Sequence, residues 1–458
     1  MTALIILSLL GVATMMTEAL GLRKVLLPLT LAGVCAALAF LINDWGTDFT
    51  YFNGAVRFDQ FALAFSAILT VIYLLWMILA SGLFGSDTGR ADLVTLSLFA
   101  LSGAVCMVSF GDLTTFFIGL EILSISLYVL AASAKRDLRS NESGMKYLLM
   151  GAFATGFLLF GIALVYGATG TFNLERIAQA VLGQPDQPLY LKTGVLLILT
   201  GLLFKVSAAP FHFWAPDVYE GAPTSITAFM ATLVKTAAFG AFYRLFSTCF
   251  GPLSDTWGPV VAIASAVTMV AGNVLAVYQT GMKRMLAYSS VAHAGYLLMA
   301  VLAMNEVSAE SLMVYTFVYS LGSLGAFAAY SAVSQQGDER TQALAGLASK
   351  QPLAAAALSV VALSLAGIPP LAGFFAKYSV FYGTALSGAN WLVFVAIVAS
   401  LIGVSYYFRM IYAAYKTAPE NESSAVISGS AYALLLVSAA LTLVLGLYPA
   451  LFERLLAL

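Results

Sequence analysis

Charge is what this sequence has least of. Only 9% of its 458 residues are Asp, Glu, Lys or Arg, against about a quarter in soluble globular domains. Hydrophobic types fill 61%, so a water-soluble fold of this length would lack polar surface. The net charge of -1, with no basic tract interleaved with aromatics, gives nucleic-acid binding no support. Cysteine is also scarce. Cys35, Cys106 and Cys249 stand far apart, each in or beside an apolar run, and are expected to be small buried hydrophobes. No CxxC, HExxH or Cys/His cluster occurs, so neither zinc nor an iron–sulfur cluster is indicated. His212 and His293, the only histidines, are not paired at helical spacing, which argues against haem.

What is present is long apolar sequence. The opening TALIILSLLGVATMMTEALG lacks a basic start and contains Glu18. It reads as a retained first membrane helix rather than a cleaved signal. Segments of about 20 apolar residues suffice to cross a bilayer. Fourteen qualify, near 2–20, 25–43, 59–83, 91–110, 112–134, 144–169, 190–213, 223–249, 257–279, 285–304, 308–334, 352–383, 388–415 and 427–451. The expected fold is an all-α polytopic membrane protein with 14 transmembrane helices. The longest connections, near 43–58, 170–189 and 335–351, leave no room for a soluble domain.

Basic residues near helix ends set the orientation. With both termini outside, Arg23, Lys24, Arg90, Lys135, Arg136, Arg139, Lys283, Arg284, Arg340, Lys350, Arg409 and Lys416 face the cytoplasm. Arg57, Arg176, Lys192, Arg244 and Arg454 face outward. That bias favours an even number of crossings.

Lys146, Lys205, Lys235 and Lys377 remain, all within predicted helices. A charge at the membrane centre costs about 2.5–3.5 kcal/mol even on permissive scales. Each must face protein, a partner charge or water. Lys146 lies near its helix start and is equally readable as an interfacial anchor; Lys377 is the nearest of the others to snorkelling. Glu121, inside the fifth segment, is the natural partner for a buried lysine. Pairing favours both ionised forms, burial both neutral forms. A site balanced between them changes protonation when a nearby charge moves. Lysine in water, at about 10.4, holds its proton too tightly for release at neutral pH, and dehydration loosens that hold. The alternative is a static ion pair. His212 and His293 are candidate relays that change charge near neutral pH, or else satisfied packing residues.

Pro210 follows Lys205, and Gly367-Ile368-Pro369-Pro370 precedes Lys377. Proline should interrupt both helices, which membranes tolerate where a helix lines a cavity or the protein interior. The lysine precedes one break and follows the other, as an inverted repeat would give. The implied organisation is 1–90, helices 1–3; 91–249, helices 4–8; 257–415, helices 9–13; and 427–451, helix 14, with helices 7 and 12 broken.

The strings GLEILSISLYVL, GLLFKVSAAPFHFWAPDVYEGAPT, ATLVKTAAFGAFYR, MKRMLAYSSVAHAGY and GIPPLAGFFAKY resemble the antiporter-like proton-translocating subunits of respiratory complex I over nearly the whole chain. The DVYEGAPT ending is similar to the N-type members; the L and M types continue differently. The resemblance implies roles for Glu121 on helix 5, Lys205 on helix 7, Lys235 on helix 8 and Lys377 on helix 12, with Lys146, His212 and His293 assisting. It also implies no cofactor in this chain, since NADH, FMN, iron–sulfur clusters and quinone serve elsewhere in such a complex. The partners it implies are subunits K and M, with A and J nearby, in a bacterial inner membrane with both termini periplasmic. The competing readings are a subunit of a multisubunit cation/proton antiporter or membrane-bound hydrogenase, a membrane scaffold and a solute transporter. A sodium antiporter is disfavoured by lysines that repel Na⁺, and a solute carrier by the lack of a further polar cluster.

Overall fold

A computed structural model describes residues 1–81, 90–183, 188–334, 339–417, 425–427 and 429–451. The helices are α1 (Thr2–Ala19), α2 (Leu26–Asn43), α3 (Gln60–Leu79), α4 (Ala91–Ser109), α5 (Leu113–Ala131), α6 (Leu138–Thr169), α7 (Leu174–Leu182), α8 (Leu189–Lys205), α9 (Trp214–Gly221) and α10 (Thr224–Phe229). They continue with α11 (Lys235–Cys249), α12 (Ser254–Tyr278), α13 (Met282–Ala303), α14 (Ser308–Ser334), α15 (Leu347–Lys350), α16 (Pro352–Ala366), α17 (Ala372–Leu386), α18 (Asn390–Tyr415) and α19 (Gly429–Leu447). Among the described residues, 12 helices are long and apolar enough to cross a membrane. The chain is a helical, multi-pass membrane protein. Segments seven and twelve are not among those 12. They are the two expected to break.

Both breaks are present. α8 ends at Lys205 itself, earlier than Pro210 alone would require. Ser207 then takes a positive φ of 61° and the Ala209–Pro210 peptide is cis, before α9 resumes at Trp214. α16 ends at Ala366, Gly367 takes φ 85°, Pro369–Pro370 is cis and α17 starts at Ala372. A third irregularity was not expected. Between α10 and α11, Met230–Val234 forms a π-turn that ends immediately before Lys235.

Four helices, α3, α5, α6 and α7, start at acidic or amide caps that satisfy free backbone N–H groups. Asp59, Asp112, Asp137 and Asn173 accept from Ala62, Thr115, Arg139 and Arg176 N–H. Packing relies on glycine, which lets helix backbones approach. A Cβ on Gly103 in α4 would lie 2.7 Å from Leu123 N in α5. One on Gly161 in α6 would meet Gly194 O of α8 at 2.7 Å, and one on Gly272 in α12 would meet Ala292 N of α13 at 2.5 Å.

All three long predicted loops hold structure, 335–351 the short helix α15. Residues 43–58 contain the antiparallel pair β1 (Phe49–Tyr51) and β2 (Val56–Phe58). Residues 170–189 contain α7, which buries Leu174, Ile177 and Val181. Cys106 and Cys249 are buried as expected, but Cys35 is exposed on α2. α2 lies at the periphery, so its apolar run gives no burial for every residue. Arg454 lies outside the described residues.

Candidate functional site

Lys205 is buried at the end of α8. Its Nζ donates to Ser124 Oγ of α5 at 2.7 Å and lies 5.9 Å from the centre of the Tyr147 ring. Glu121 is one turn back along α5. The expected direct ion pair is absent, and Glu121 is not buried: it is part-exposed, between Ile118, Ile122 and Ile125 on the outer face of α5. Its Oε1 accepts from Thr155 Oγ1 of α6 at 3.2 Å. Thr155, Ser124 and Lys205 share a small cavity of about 10 Å³, room for about one water. The carboxylate and the amine are thus linked through two hydroxyls and a water-sized gap. Sequence placed Glu121 inside an apolar helix but could not tell which face it occupies.

Lys235 sits where the π-turn returns to α-helix. Such turns are frequent at functional sites because they re-aim a side chain. Its Nζ donates to both the carbonyl and the Oγ of Ser290 in α13, each at 2.6 Å. Lys377, on α17, donates to Ala366 O and Ser400 Oγ, each at 2.9 Å, and lies 5.1 Å over the Tyr296 ring. Ala366 O is a carbonyl released by the break in α16. Lys377 therefore does not snorkel; it turns inward to the unwound backbone. Among the described residues, no carboxylate reaches ion-pair distance of Lys205, Lys235 or Lys377.

α13 joins the last two lysines. Ser290, His293 and Tyr296 repeat at helical spacing and share one face. Ser290 holds Lys235, Tyr296 underlies Lys377, and His293 lies between them. His293 is buried and both ring nitrogens have partners: Nδ1 with Tyr315 Oη at 2.9 Å and Nε2 with Tyr407 Oη at 3.1 Å. Tyr407 Oη also contacts Ser289 Oγ. Tyr296 Oη accepts from Asn273, whose Oδ1 accepts from Tyr406. Sequence reasoning passed over these hydroxyls. Their signal was the SSVAHAGY spacing, polar residues on one stripe of an apolar helix.

Lys146 and His212 lie elsewhere. Lys146 is 42% exposed and pairs with Glu142 at 2.7 Å and Asp217 at 3.2 Å. Asp217 and Glu220 on α9 both bind Arg284, and Lys283 donates to the carbonyls of Glu220 and Ala222. This ionic cluster ties α9 to α6 and α13. Burial raises the Asp217 carboxyl, but hydrogen bonds from Arg284 and Lys146 outweigh it and hold the group below its ordinary value. His212 is buried in the α8–α9 link with both nitrogens unbonded, facing Phe213 at 4.4 Å between ring centres. The sequence strings thus converge on one interior array, with Lys146 at its edge.

An interior row of lysines at helix breaks in a multi-pass helical membrane protein defines an ion-translocating type of chain. It belongs to the NADH:quinone oxidoreductase/Mrp antiporter transmembrane family, whose profile matches residues 111–403. That stretch holds every candidate residue. Within the family, relatives of about 40% identity over nearly the full length are subunit N of NADH-quinone oxidoreductase. The Flavobacterium johnsoniae protein of that name is 40% identical, covering 98% of this chain and 99% of the relative. The one from Cytophaga hutchinsonii is 40% identical, with 98% of each covered. A chain of respiratory complex I from Thermus thermophilus superposes with a TM-score of 0.84 at 36% identity, with 98% of each chain covered. A chain of the Mrp complex from Dietzia shares the fold, with a TM-score of 0.87 at 22% identity over 99% of this chain and 95% of that one.

Proposed function

We propose that this chain is the N-type membrane-arm subunit of a proton-pumping NADH:quinone oxidoreductase, and that it carries protons through Glu121, Lys205, Lys235, His293 and Lys377. Lys146 and His212 assist at the edge of that array. The observation that carries the reading is that Lys205, Lys235 and Lys377 are buried at helix irregularities with only hydroxyls and carbonyls as hydrogen-bond acceptors. Such neutral partners accept hydrogen bonds from a protonated amine but do not lock its charge as a carboxylate would. Hydroxyls also pass protons onward. The chain holds no redox centre in this reading; NADH oxidation and quinone reduction occur elsewhere, on FMN, iron–sulfur clusters and quinone.

The internal organisation follows. Residues 91–249 and 257–415 form two inverted halves, helices 4–8 and 9–13, with α8–α9 and α16–α17 each one interrupted crossing of 14. Matching contacts support this. Leu113 N–H bonds Phe172 O at the start of α5, and Met282 N–H bonds Glu339 O at the start of α13. Nine residues on from Asp112 and Gly281 stand Glu121 and Ser290.

Glu121 on an outward apolar strip indicates a neighbour. A carboxylate facing lipid is costly, so another membrane-arm subunit covers α5 there. The expected neighbours are K and M, with A and J nearby, in the inner membrane of a bacterium with both termini periplasmic.

The test is Lys205→Ala in the assembled complex, with NADH-driven proton uptake measured in vesicles. The proposal expects uptake to fall. Wild-type uptake per NADH at the full oxidation rate would refute the assigned role.

A further inference from the structure

We propose that Arg244 and Arg409 are a matched pair of charge barriers, one toward each aqueous face, that stop protons leaking along α11 and α18 into the lysine array. The inference rests on the proton-carrying role proposed for Lys235 and Lys377.

The two arginines make the same contact in the two halves. Arg244, near the end of α11, donates to Val108 O and Phe110 O at the end of α4, at 3.3 and 2.9 Å. Arg409, near the end of α18, donates to Val277 O and Gln279 O at the end of α12, at 3.0 and 2.7 Å. Each caps the first helix of its half from the last. Spacing to the array also matches. Arg244 is nine residues beyond Lys235, and Arg409 nine beyond Ser400, the hydroxyl that holds Lys377. Nine helical residues rise about 13.5 Å.

The two lie at opposite ends of the molecule. α12 runs between them: Trp257 near its start bonds Phe250 O at the end of α11, and Arg409 caps its end. Its 25 residues span about 37 Å, more than a bilayer core of about 30 Å.

Solvent has access to Arg244. It lines a polar cavity of about 860 Å³ together with Arg57, Asp59, Asn173 and Arg176. Behind it, Phe239, Gly240 and Phe242 are fully buried and carry no polar side chain. Asp59 bonds Arg244 at 2.9 Å and Arg57 at 3.6 Å, and Arg57 is held further out by Asp48 at 2.6 Å and Glu175 at 3.0 Å, which leaves Arg244 the innermost charge of this cluster. Arginine does not release its proton. A fixed positive charge at a constriction repels an arriving proton, as it does in pores that exclude protons and cations.

A capping role alone needs only donors; a barrier needs the charge. Glutamine keeps donors and loses the charge, whereas lysine keeps both. The test uses the assembled complex in liposomes without NADH, with an imposed potential and an internal pH dye. R244Q and R409Q should each raise proton conductance several-fold while K⁺ conductance stays unchanged. R244K and R409K should stay near the wild-type level. Assembled glutamine variants as tight as wild type would overturn the proposal. So would lysine variants that leak as much as glutamine ones, or a parallel rise in K⁺ conductance. Leak is read without turnover, so a negative result leaves the pumping test of Lys205→Ala unaffected.

Discussion

A lysine amine held by a single hydroxyl, joined by one carbonyl at Lys235 and Lys377, depends on those few contacts for its charge. A hydrogen bond to a charged group contributes about 1.5–3 kcal/mol, close to the cost of placing the charge in the membrane. Ser290 supplies two of the acceptors of Lys235. Ser290→Ala removes one, and proton pumping by the assembled complex should fall about ten- to a hundredfold if that full contribution is lost from the transfer step; a dye-quench rate in vesicles checks this. Ser124→Ala should act the same way on Lys205, because it leaves the amine over Tyr147 without its oxygen acceptor. The three interior lysines were legible because apolar sequence surrounds them. The face of Glu121 was not: each helical step turns the side chain by about 100°, and both lipid-facing and core-facing neighbours are apolar.

At the scale of elements, the breaks do the positioning. Gly367 has φ 85°, and a Cβ there would lie 2.8 Å from Lys377 Cδ. Gly367→Ala is therefore expected to cost about 1–3 kcal/mol and to displace Lys377, lowering both the thermal midpoint of the solubilised complex and its proton uptake. The α9 anchor gives a pH prediction. Asp217 is held below its ordinary value in the folded chain, so its pairing stabilises above the unfolded carboxyl value of about 3.9. That contribution is lost as pH falls through the lower folded value. Asp217→Asn should reduce thermal stability at neutral pH, and the difference from wild type should shrink as pH drops below about 4. The interruptions at Pro210 and Pro369 were readable from proline chemistry. The π-turn was not, since MATLV carries no helix breaker. α7 escaped because nine residues with polar flanks resemble a loop, and β1–β2 because each strand has only three residues.

At the scale of the molecule, Lys235 and Lys377 converge on one helix. α13 meets Lys235 at Ser290 and Lys377 at Tyr296, with His293 between two tyrosine hydroxyls. The reversed order of lysine and break in the sequence is the ground on which two inverted halves are proposed. Sequence did not indicate the tyrosines, which come from α13, α14 and α18 and meet only on folding. The central claim is that charge passes along this array, and Lys235 is its midpoint. The most direct measurement is proton uptake per NADH by inverted vesicles carrying assembled Lys235→Gln complex. Uptake should collapse, with coupled NADH oxidation falling alongside it. Wild-type uptake per NADH at the wild-type oxidation rate would contradict the account.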